Sequence, residues 1–374
     1  MNEVVGGYEG VHEKLVQLVE DDPGVVGQFV AYVRGEKVVD LTVGDVAADD
    51  LIGIFSASKG ASAMCIAVLV DRGDLDLDAP MAAYWPEFAM GGKSRVLVRT
   101  ALSHQAGLCG VEPQLTLKQL VDHPDLAQRL AAMTPHWLPG AAHGYHGTTI
   151  GTLMEELVRR IDGRSLPQFF SEEIARPRGI DVYLATDDET EARVRPVRRH
   201  PSDDPSRPAP RPVDGLTGMT FNDAAGWGDL RQTLLSNVES VRRAGLCAVG
   251  GVASARGLAR LYAMAIDEVD DMAPIMTQDT RAQMAQLQSF GVDLVLGMPT
   301  RFAIVFEKPD DRMWFGSHQA FGHDGAGGVM AAGDPWHDSA FAWVPHRMAE
   351  VPGADQRGFE LAAQVRKVAQ SIST

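Results

Sequence analysis

The chain has 374 residues, of which 45% are hydrophobic and 22% charged, and this composition excludes an intrinsically disordered protein. A formal net charge of −16 argues against nucleic acid as a partner, which would need clustered positive charge, and weakly against anionic membranes. Three cysteines without a C-x-x-C pair, no N-terminal signal segment and no apolar run of about 20 residues predict a cytoplasmic protein with reduced thiols.

The first fifth of the chain predicts a helix, a hairpin and a second helix. Apolar residues recur at helical spacing from Val11 onward, and residues 28–33 and 37–43 then predict two strands joined by a tight turn. A strongly apolar helix is expected over residues 56–72, because Gly73 follows as a C-terminal stop signal.

Residues 74–247 predict a mainly helical region with long loops. Apolar residues at helical spacing from Ile150 to Ile161 mark one of its helices. Residues 193–213 are rich in arginine and proline, so no regular element is expected there. We interpret that segment as a surface loop, with a lid over a pocket as the alternative.

The last third of the chain returns to strands. Ser254 predicts the N-cap of a helix. Strands are then expected over residues 301–306, 327–332 and 339–344, before a final amphipathic helix that carries Leu361.

Strands at both ends of the chain and helices in the middle predict an α+β fold. The economical arrangement is one antiparallel sheet formed from the N- and C-terminal strands and flanked by helices, with an inserted all-helical lobe. The corresponding division is an α/β domain of residues 1–73 and 248–374 and a helical lobe of residues 74–247.

Ser56 and Lys59 form the sharpest chemical signal, at the start of the apolar helix. They are three residues apart in a helical frame, so their side chains lie on one face within reach of each other. A serine hydroxyl needs a neighbouring base to become a nucleophile, and a lysine serves as that base only when burial lowers its pKa. The alternative is a capping serine with a coincidental lysine, although a lysine in the first turn opposes the helix dipole.

Tyr145 is the second signal, on a predicted loop just ahead of a helix. Its phenol can exchange protons with Ser56, near a lysine that favours the phenolate, but a lone tyrosine is also commonly a core residue. The neighbouring His143 and His146 suggest a metal, yet they lack an H-E-x-x-H pattern and a carboxylate partner. We therefore expect no metal site and no cofactor.

A glycine-rich run at residues 321–328 is the third signal. Glycines let a backbone approach a substrate closely and leave N–H groups free, which suits an oxyanion hole with two donors. A plain turn that enters a strand is the alternative. The pattern G-x-S-x-G is absent, which excludes the α/β-hydrolase elbow as the frame for a serine nucleophile.

In order and spacing, these signals resemble the motifs of the serine β-lactamase and penicillin-binding-protein superfamily (β-lactamase/transpeptidase-like fold). More narrowly, the chain resembles the esterases related to class C β-lactamases, called family VIII carboxylesterases. The resemblance covers about residues 25–350 and is carried by IFSASKG at 54–60, YWPEF at 84–88, LSHQAGL at 102–108, GYH at 144–146 and GHDG at 322–325. Each stretch alone is unspecific, whereas the ordered set is specific.

The resemblance implies a role for each matching residue. Ser56 matches the nucleophile, Lys59 the base of S-x-x-K, and Tyr145 the tyrosine of the Y-x-N element. The implied oxyanion hole is the backbone N–H of Ser56 together with that of Ala326. Whether the lysine or the tyrosine takes the first proton is left open.

Two departures from the family pattern favour a neutral ester as substrate. Gly147 replaces the asparagine of Y-x-N, an amide that β-lactam-type substrates contact. His323, Asp324 and Gly325 replace K-T-G, so a titratable ring beside a carboxylate stands in place of a fixed cation. An anionic Asp324 in the cleft would repel the carboxylate of a β-lactam, although an alternating strand can also point it away.

The sequence therefore predicts a serine carboxylesterase that cleaves small to medium neutral acyl esters through an acyl-enzyme on Ser56. The expected partner is a small-molecule ester, with no nucleic acid and no membrane, and a homo-oligomer is left open. Sister chemistries are the alternatives: an acyltransferase, a D-amino-acid amidase or a weak β-lactamase. A catalytically silent protein with the penicillin-binding fold is the alternative from another class, and the intact set of Ser56, Lys59 and Tyr145 disfavours it.

Overall fold

Strands at both ends of the chain and helices between them make up an α+β fold. The computed structural model describes residues 2–202, 215–221, 234–350 and 353–372. The strands in these residues are β1 (Glu3–Val4), β2 (Gly27–Val33), β3 (Glu36–Val43), β4 (Leu51–Gly53), β5 (Val182–Tyr183), β6 (Val194–Arg195), β7 (Val252–Ala253), β8 (Ser289–Val292), β9 (Pro299–Phe302), β10 (Phe321–Asp324), β11 (Met330–Asp334) and β12 (Ser339–Pro345). The helices are α1 (Glu9–Asp21), α2 (Ala57–Asp71), α3 (Met81–Tyr84), α4 (Val98–Ala101), α5 (Leu117–Leu120), α6 (His123–Ala132), α7 (Thr149–Ile161), α8 (Leu166–Phe169), α9 (Asp188–Glu191), α10 (Gly215–Phe221), α11 (Glu239–Ala244), α12 (Ala255–Ile266), α13 (Gln278–Ala285) and α14 (Gln356–Ile372).

The main sheet is antiparallel and is built from both ends of the chain, which confirms the predicted fold class. Its strand order is β1-β3-β2-β12-β11-β10, and each neighbouring pair is antiparallel. β12 lies beside β2 along its whole length, from the Ser339–Val33 pair to the Pro345–Gly27 pair. The C-terminal strands therefore extend the N-terminal hairpin, and β10 comes to lie at one edge of the sheet.

Both faces of this sheet are buried, and its side chains alternate between two cores. Phe29 of β2 and Trp343 of β12 face the core that contains α1 and α14. Val30 of β2 and Ala342 of β12 face the larger core that contains α2 and α12. Successive strand residues point to opposite faces, so a strand covered on both sides has a continuous apolar sequence, as these two do.

The helix α2 lies at the centre of the larger core. Its residues from Ala57 to Leu69 are all buried, and it contacts α7, α13 and β10. A helix that is apolar on every side needs such an enclosure. Among the described residues, no helix combines the length and the apolarity needed to cross a membrane.

The region between residues 74 and 247 is mainly helical but also contributes strands. Its β5 and β6 join β7 and β4 in a four-stranded sheet, in which β4 and β6 are parallel. The larger core includes residues from both sides of the predicted boundaries. The division into two domains therefore stays a prediction.

Most predicted elements of the two ends are confirmed. The hairpin is β2 and β3, the apolar helix is α2, and the last helix is α14. Ser254 is the N-cap of α12, because its side chain accepts the Gly257 N–H at 3.1 Å.

Two predicted strands of the last third have different bounds. The strand expected over residues 301–306 ends at Phe302, because Val305 has a φ of 68° and the chain turns there. The strand expected from residue 327 begins at Met330, because residues 325–329 form a turn. In both places, residues with a strand-like sequence form a turn instead.

The segment of residues 193–213 was expected to hold no regular element, and this is wrong for its start. Val194–Arg195 is the strand β6, and Val194 pairs with Leu51 of β4. Residues 203–214 lie outside the described residues, and the choice between a surface loop and a lid lies there with them.

Candidate active site

The turn between β4 and α2 leaves Ser56 partly exposed while the residues around it are buried. Phe55, directly before it, has a φ of 48°, a left-handed conformation that costs a residue with a Cβ roughly 1–2 kcal/mol. Ser58 stabilises this turn, because its Oγ donates to Phe55 O at 2.6 Å and accepts the Gly251 N–H at 3.0 Å. The strained turn therefore places the Ser56 hydroxyl at the N-terminus of a buried helix.

Lys59 lies one helical turn beyond Ser56 and is fully buried. Its Nζ is 2.9 Å from Ser56 Oγ and donates to Ala248 O at 3.0 Å. Burial lowers the pKa of Lys59 to about 7, against the opposing effect of the carboxylates of Asp324 and Glu307. A lysine with this pKa is neutral in a large fraction of molecules near neutral pH, so its amine can accept a proton.

Tyr145 approaches Ser56 from the loop before α7. Its Oη is 2.8 Å from Ser56 Oγ, and Lys59 Nζ lies 4.8 Å from the centre of its ring. Burial raises the pKa of Tyr145 well above its usual value, and the carboxylates of Asp324 and Glu307 add to the rise. The expectation that the lysine favours a phenolate is therefore wrong for the resting site, because the phenol keeps its proton.

Asp293 holds Tyr145 in place, and sequence reasoning missed it. This fully buried residue of the β8–β9 hairpin accepts the N–H of Tyr145 at 3.1 Å through Oδ1, which also accepts two N–H groups of its own loop. The ring of Phe302 stacks on the ring of Tyr145 with centroids 6.1 Å apart. A lone carboxylate among apolar residues 290–296 was the available signal, because a buried charge needs partners.

His323 on β10 is fully buried and neutral, so it does not replace the cation of K-T-G. Burial, together with the charge of Lys59, lowers its pKa to about 4. Its Nδ1 donates to Asp324 O at 2.9 Å, because a carbonyl oxygen can only accept. The Asp324 carboxylate accepts the Ala354 N–H at 2.9 Å, so this side chain is directed toward the segment before α14.

Glu307 is a second residue that the sequence reasoning missed. Its backbone exchanges hydrogen bonds of 2.9 and 3.2 Å with Gly322 at the edge of the sheet, and its Oε2 accepts the Asp324 N–H at 2.9 Å. Burial raises the pKa of Glu307 to about 7. An acidic residue directly after the apolar run of residues 302–306 was the signal that pointed to it.

The glycine-rich turn after β10 packs directly on the turn that carries Ser56. A Cβ on Gly325 would lie 2.4 Å from Ile54 O, and a Cβ on Gly327 would lie 2.5 Å from the Phe55 ring. Glycine is required at both positions for this close approach. Ala326 lies between them, and within the described part of the chain neither its N–H nor that of Ser56 donates a hydrogen bond.

The other residues singled out near Tyr145 have structural partners. Gly147 packs against α10, where an added Cβ would lie 3.0 Å from Thr220 Cγ2. His143 Nε2 is 3.0 Å from Thr300 Oγ1, and His146 Nε2 accepts the Leu108 N–H at 2.9 Å. In the described chain, the grouping of His, Asp and Glu with metal-ligand spacing lies elsewhere, at Glu307, His323 and Asp324.

A protein-family model, a curated relative and two solved structures resemble this chain. Residues 13–365 match the family model described as Beta-lactamase. The esterase/beta-lactamase LipL of Mycobacterium tuberculosis is 31% identical over 384 aligned positions, which cover 91% of this chain and 83% of LipL. The structure of EstA from Arthrobacter nitroguajacolicus Rue61a has a TM-score of 0.93 and 40% identity and covers 100% of both chains. A crystal structure of a family VIII carboxylesterase has a TM-score of 0.86 and 28% identity, covering 98% of this chain and 99% of its own.

Proposed function

Because the chain belongs to the beta-lactamase family, we propose that it is a serine carboxylesterase that cleaves small to medium neutral acyl esters. One observation carries the proposal: Ser56 Oγ lies 2.9 Å from a buried amine and 2.8 Å from a buried phenol. Relatives that are named as esterases, LipL and the family VIII carboxylesterase among them, support the same reaction class. The acyl group is carried on Ser56 during the reaction.

The two buried side chains divide the proton transfers between them. The neutral amine of Lys59 takes the proton of Ser56 as Oγ attacks the ester carbonyl. The free N–H groups of Ser56 and Ala326 stabilise the oxyanion that forms. Tyr145 donates its proton to the alkoxide as the ester bond breaks, and the ammonium of Lys59 then returns a proton to Tyr145. A water molecule attacks the acyl-enzyme with the same groups, which releases the acid and restores Ser56.

The polar surroundings of the site favour a neutral substrate. His323 is uncharged where relatives with K-T-G hold a cation, so nothing on that strand attracts a substrate carboxylate. Glu307 and Asp324 lie beside His323 and bring no positive charge that would attract one. Partly buried apolar side chains, Trp137, Phe221 and Leu296 among them, pack against the buried cluster that contains Tyr145, which suits an uncharged acyl chain.

The nucleophile is tested by mass spectrometry after reaction with a fluorophosphonate. Wild type is expected to gain one adduct, and Ser56→Ala none. Ser62→Ala is the matched control, because Ser62 is a buried serine further along α2 whose Oγ donates to Cys247 O at 2.8 Å. Equal labelling of wild type and Ser56→Ala would rule out the proposed mechanism.

Parallel assays separate the ester reaction from its sister chemistries. We expect hydrolysis across a panel of p-nitrophenyl esters, little turnover of a chromogenic cephalosporin and little turnover of D-amino-acid amides. Faster product release on addition of an alcohol would indicate an acyltransferase instead. No turnover of any ester, together with no adduct on Ser56, would indicate the catalytically silent penicillin-binding-like protein.

A further inference from the structure

Two partly buried carboxylates flank the fully buried His323 beside the strand that borders the active site. The carboxylate oxygens of Glu307 and Asp324 and the Nδ1 of His323 lie within 4.8 Å of one another. His323 Nδ1 is 3.8 Å from Glu307 Oε2 and 3.9 Å from Asp324 Oδ1. The neutral ring brings no positive charge to this cluster. Among the described residues, neither carboxylate forms an ion pair with a lysine or an arginine.

Such a cluster does not hold two negative charges easily. Burial raises the pKa of Glu307 to about 7, and burial together with the charge of Glu307 raises the pKa of Asp324 to about 7. Two carboxyl groups this close titrate as a pair, so one proton leaves well before the other. Near neutral pH the pair therefore carries one negative charge and retains one proton.

Among the other groups around the pair and Lys59, the positive charge that favours the ionised form of both carboxyl groups is that of Arg312, which lies on a neighbouring loop. Neighbouring elements bring seven other titratable groups close to the carboxylate pair or to the Lys59–Tyr145 contact. They are His104, Tyr145, Tyr262, Asp293, Asp310, Arg312 and His323. Burial keeps the two histidines and the two tyrosines neutral. Asp293 is engaged by backbone N–H groups. Asp310 and Arg312 lie two residues apart in one partly exposed loop, where Asp310 opposes the effect of Arg312 on Glu307.

We propose that Glu307 and Asp324 are positioning residues that together keep one negative charge behind β10, and that this charge sets the pH range in which Lys59 accepts the proton of Ser56. The proposal rests on the function proposed above for Lys59. The charge stabilises the ammonium form of Lys59, so it opposes the effect of burial on that side chain. Without it, Lys59 would lose its proton at a lower pH.

The pair makes the charge insensitive to loss of either member. When Glu307 is neutralised, Asp324 is relieved of the repulsion and ionises more readily, so one negative charge remains near neutral pH. The same holds with the two residues exchanged. Only removal of both acids leaves Lys59 without a carboxylate nearby. The structure thus predicts strongly non-additive effects of the two substitutions.

The test is the pH dependence of kcat/KM for a p-nitrophenyl ester, measured for Glu307→Gln, Asp324→Asn and the double variant. Each single variant is expected to move the midpoint of the acid limb by less than about 0.3 pH unit, and the double variant to lower it by about 1 unit, the size that one nearby charge produces. Glu156→Gln is the control, because Glu156 is a buried carboxylate on α7 paired with Arg160 and His123. It should leave the midpoint in place.

Thermal unfolding of each variant accompanies the kinetics. If the double variant does not fold, Glu307→Gln with Asp324→Thr replaces it, because a β-branched residue suits a strand and also removes the charge. The proposal would be overturned if the midpoint shifts of the two single variants added up to the midpoint shift of the double variant. It would also be overturned if the double variant kept the wild-type midpoint. A failure of the proposed function itself can be distinguished from these outcomes, because Ser56→Ala would then react with the fluorophosphonate or hydrolyse the ester as wild type does.

Discussion

Gly60 in the first turn of α2 is predicted to be intolerant of even one added methyl group. A Cβ at this position would lie 2.1 Å from Tyr262 Oη and 3.3 Å from His323 Cβ. Tyr262 is fully buried, and within the described residues its hydroxyl has no hydrogen-bond partner. In an open helix, glycine to alanine stabilises by roughly 0.5–1 kcal/mol, so a loss of stability would report the contact with Tyr262 directly.

The size of the effect follows from the contact. Gly60→Ala is expected to lower the free energy of unfolding by about 1–3 kcal/mol, the usual result of overpacking a core. It should also lower kcat/KM, because Lys59 and His323 flank the inserted methyl group. Tyr262→Phe alone should leave stability unchanged or raise it by about 1 kcal/mol, since it removes a buried hydroxyl that has no partner.

The double variant Gly60→Ala with Tyr262→Phe is the decisive measurement. With Oη removed, the nearest remaining atoms are the ring carbon Cζ and His323 Cβ, each at 3.3 Å, a distance that small shifts can relieve. Urea unfolding of the four proteins should therefore show most of the lost stability restored. An alanine variant as stable as wild type, or an equal loss with and without the tyrosine hydroxyl, would refute this reasoning.

Three further predictions follow from buried polar groups. The kcat/KM of wild type should rise with pH through a midpoint at about 7 and stay level at higher pH, because Lys59 is protonated below the midpoint and Tyr145 keeps its proton above it. A kcat/KM that falls as the pH rises through about 7 would contradict the roles assigned to the two side chains. Asp293→Asn should lower kcat by about 10–100-fold with little change in KM, because Tyr145 loses a charged anchor and small misplacements are costly in catalysis. Lys93→Met should lower the free energy of unfolding, measured in urea, by at least about 2 kcal/mol, because the Nζ of this buried lysine donates to the backbone carbonyls of Met90, Ala131 and Met133. It should leave kcat/KM unchanged, because none of these residues belongs to the proposed site.

The elements that the sequence predicts best are those whose burial is set by local pattern. The strands β2 and β12 have continuous apolar sequences because helices cover both faces of the sheet, and this makes them easy to recognise. The strand expected over residues 301–306 fails for the opposite reason. Its apolar residues are buried as predicted, but Val305 adopts a left-handed φ and its N–H bonds to Leu102 O, in a segment distant along the chain. Hydrophobicity reports burial there and not backbone conformation.

The same distinction holds within the site. Ser56 and Lys59 are neighbours along one helix, so their contact is a local property that the spacing predicts. Tyr145 was a candidate from its place before a helix, but its pairing with Ser56 rested on the family resemblance, because nothing in its own segment fixes a contact with a residue 89 positions away. Asp293 and Glu307 were missed because their partners, Tyr145 and Asp324, are also distant in sequence. A single acidic residue among apolar residues predicts a buried carboxylate but does not indicate which residue it contacts.

The charges at the site have a single physical origin that only the folded structure reveals. Burial disfavours the charged form of each group, so it lowers the pKa of Lys59 to about 7 and raises that of Tyr145. Near neutral pH the phenol therefore keeps its proton, and a large fraction of the amine is neutral. A neutral amine and a neutral phenol around one hydroxyl are the base and the acid that the proposed ester cleavage requires. The same burial would lower the pKa of Lys59 further still if no carboxylate lay behind β10, and the amine would then be a weaker base. Burial and the nearby negative charge therefore have opposite effects on the pKa of Lys59, and their balance sets that pKa near neutral pH.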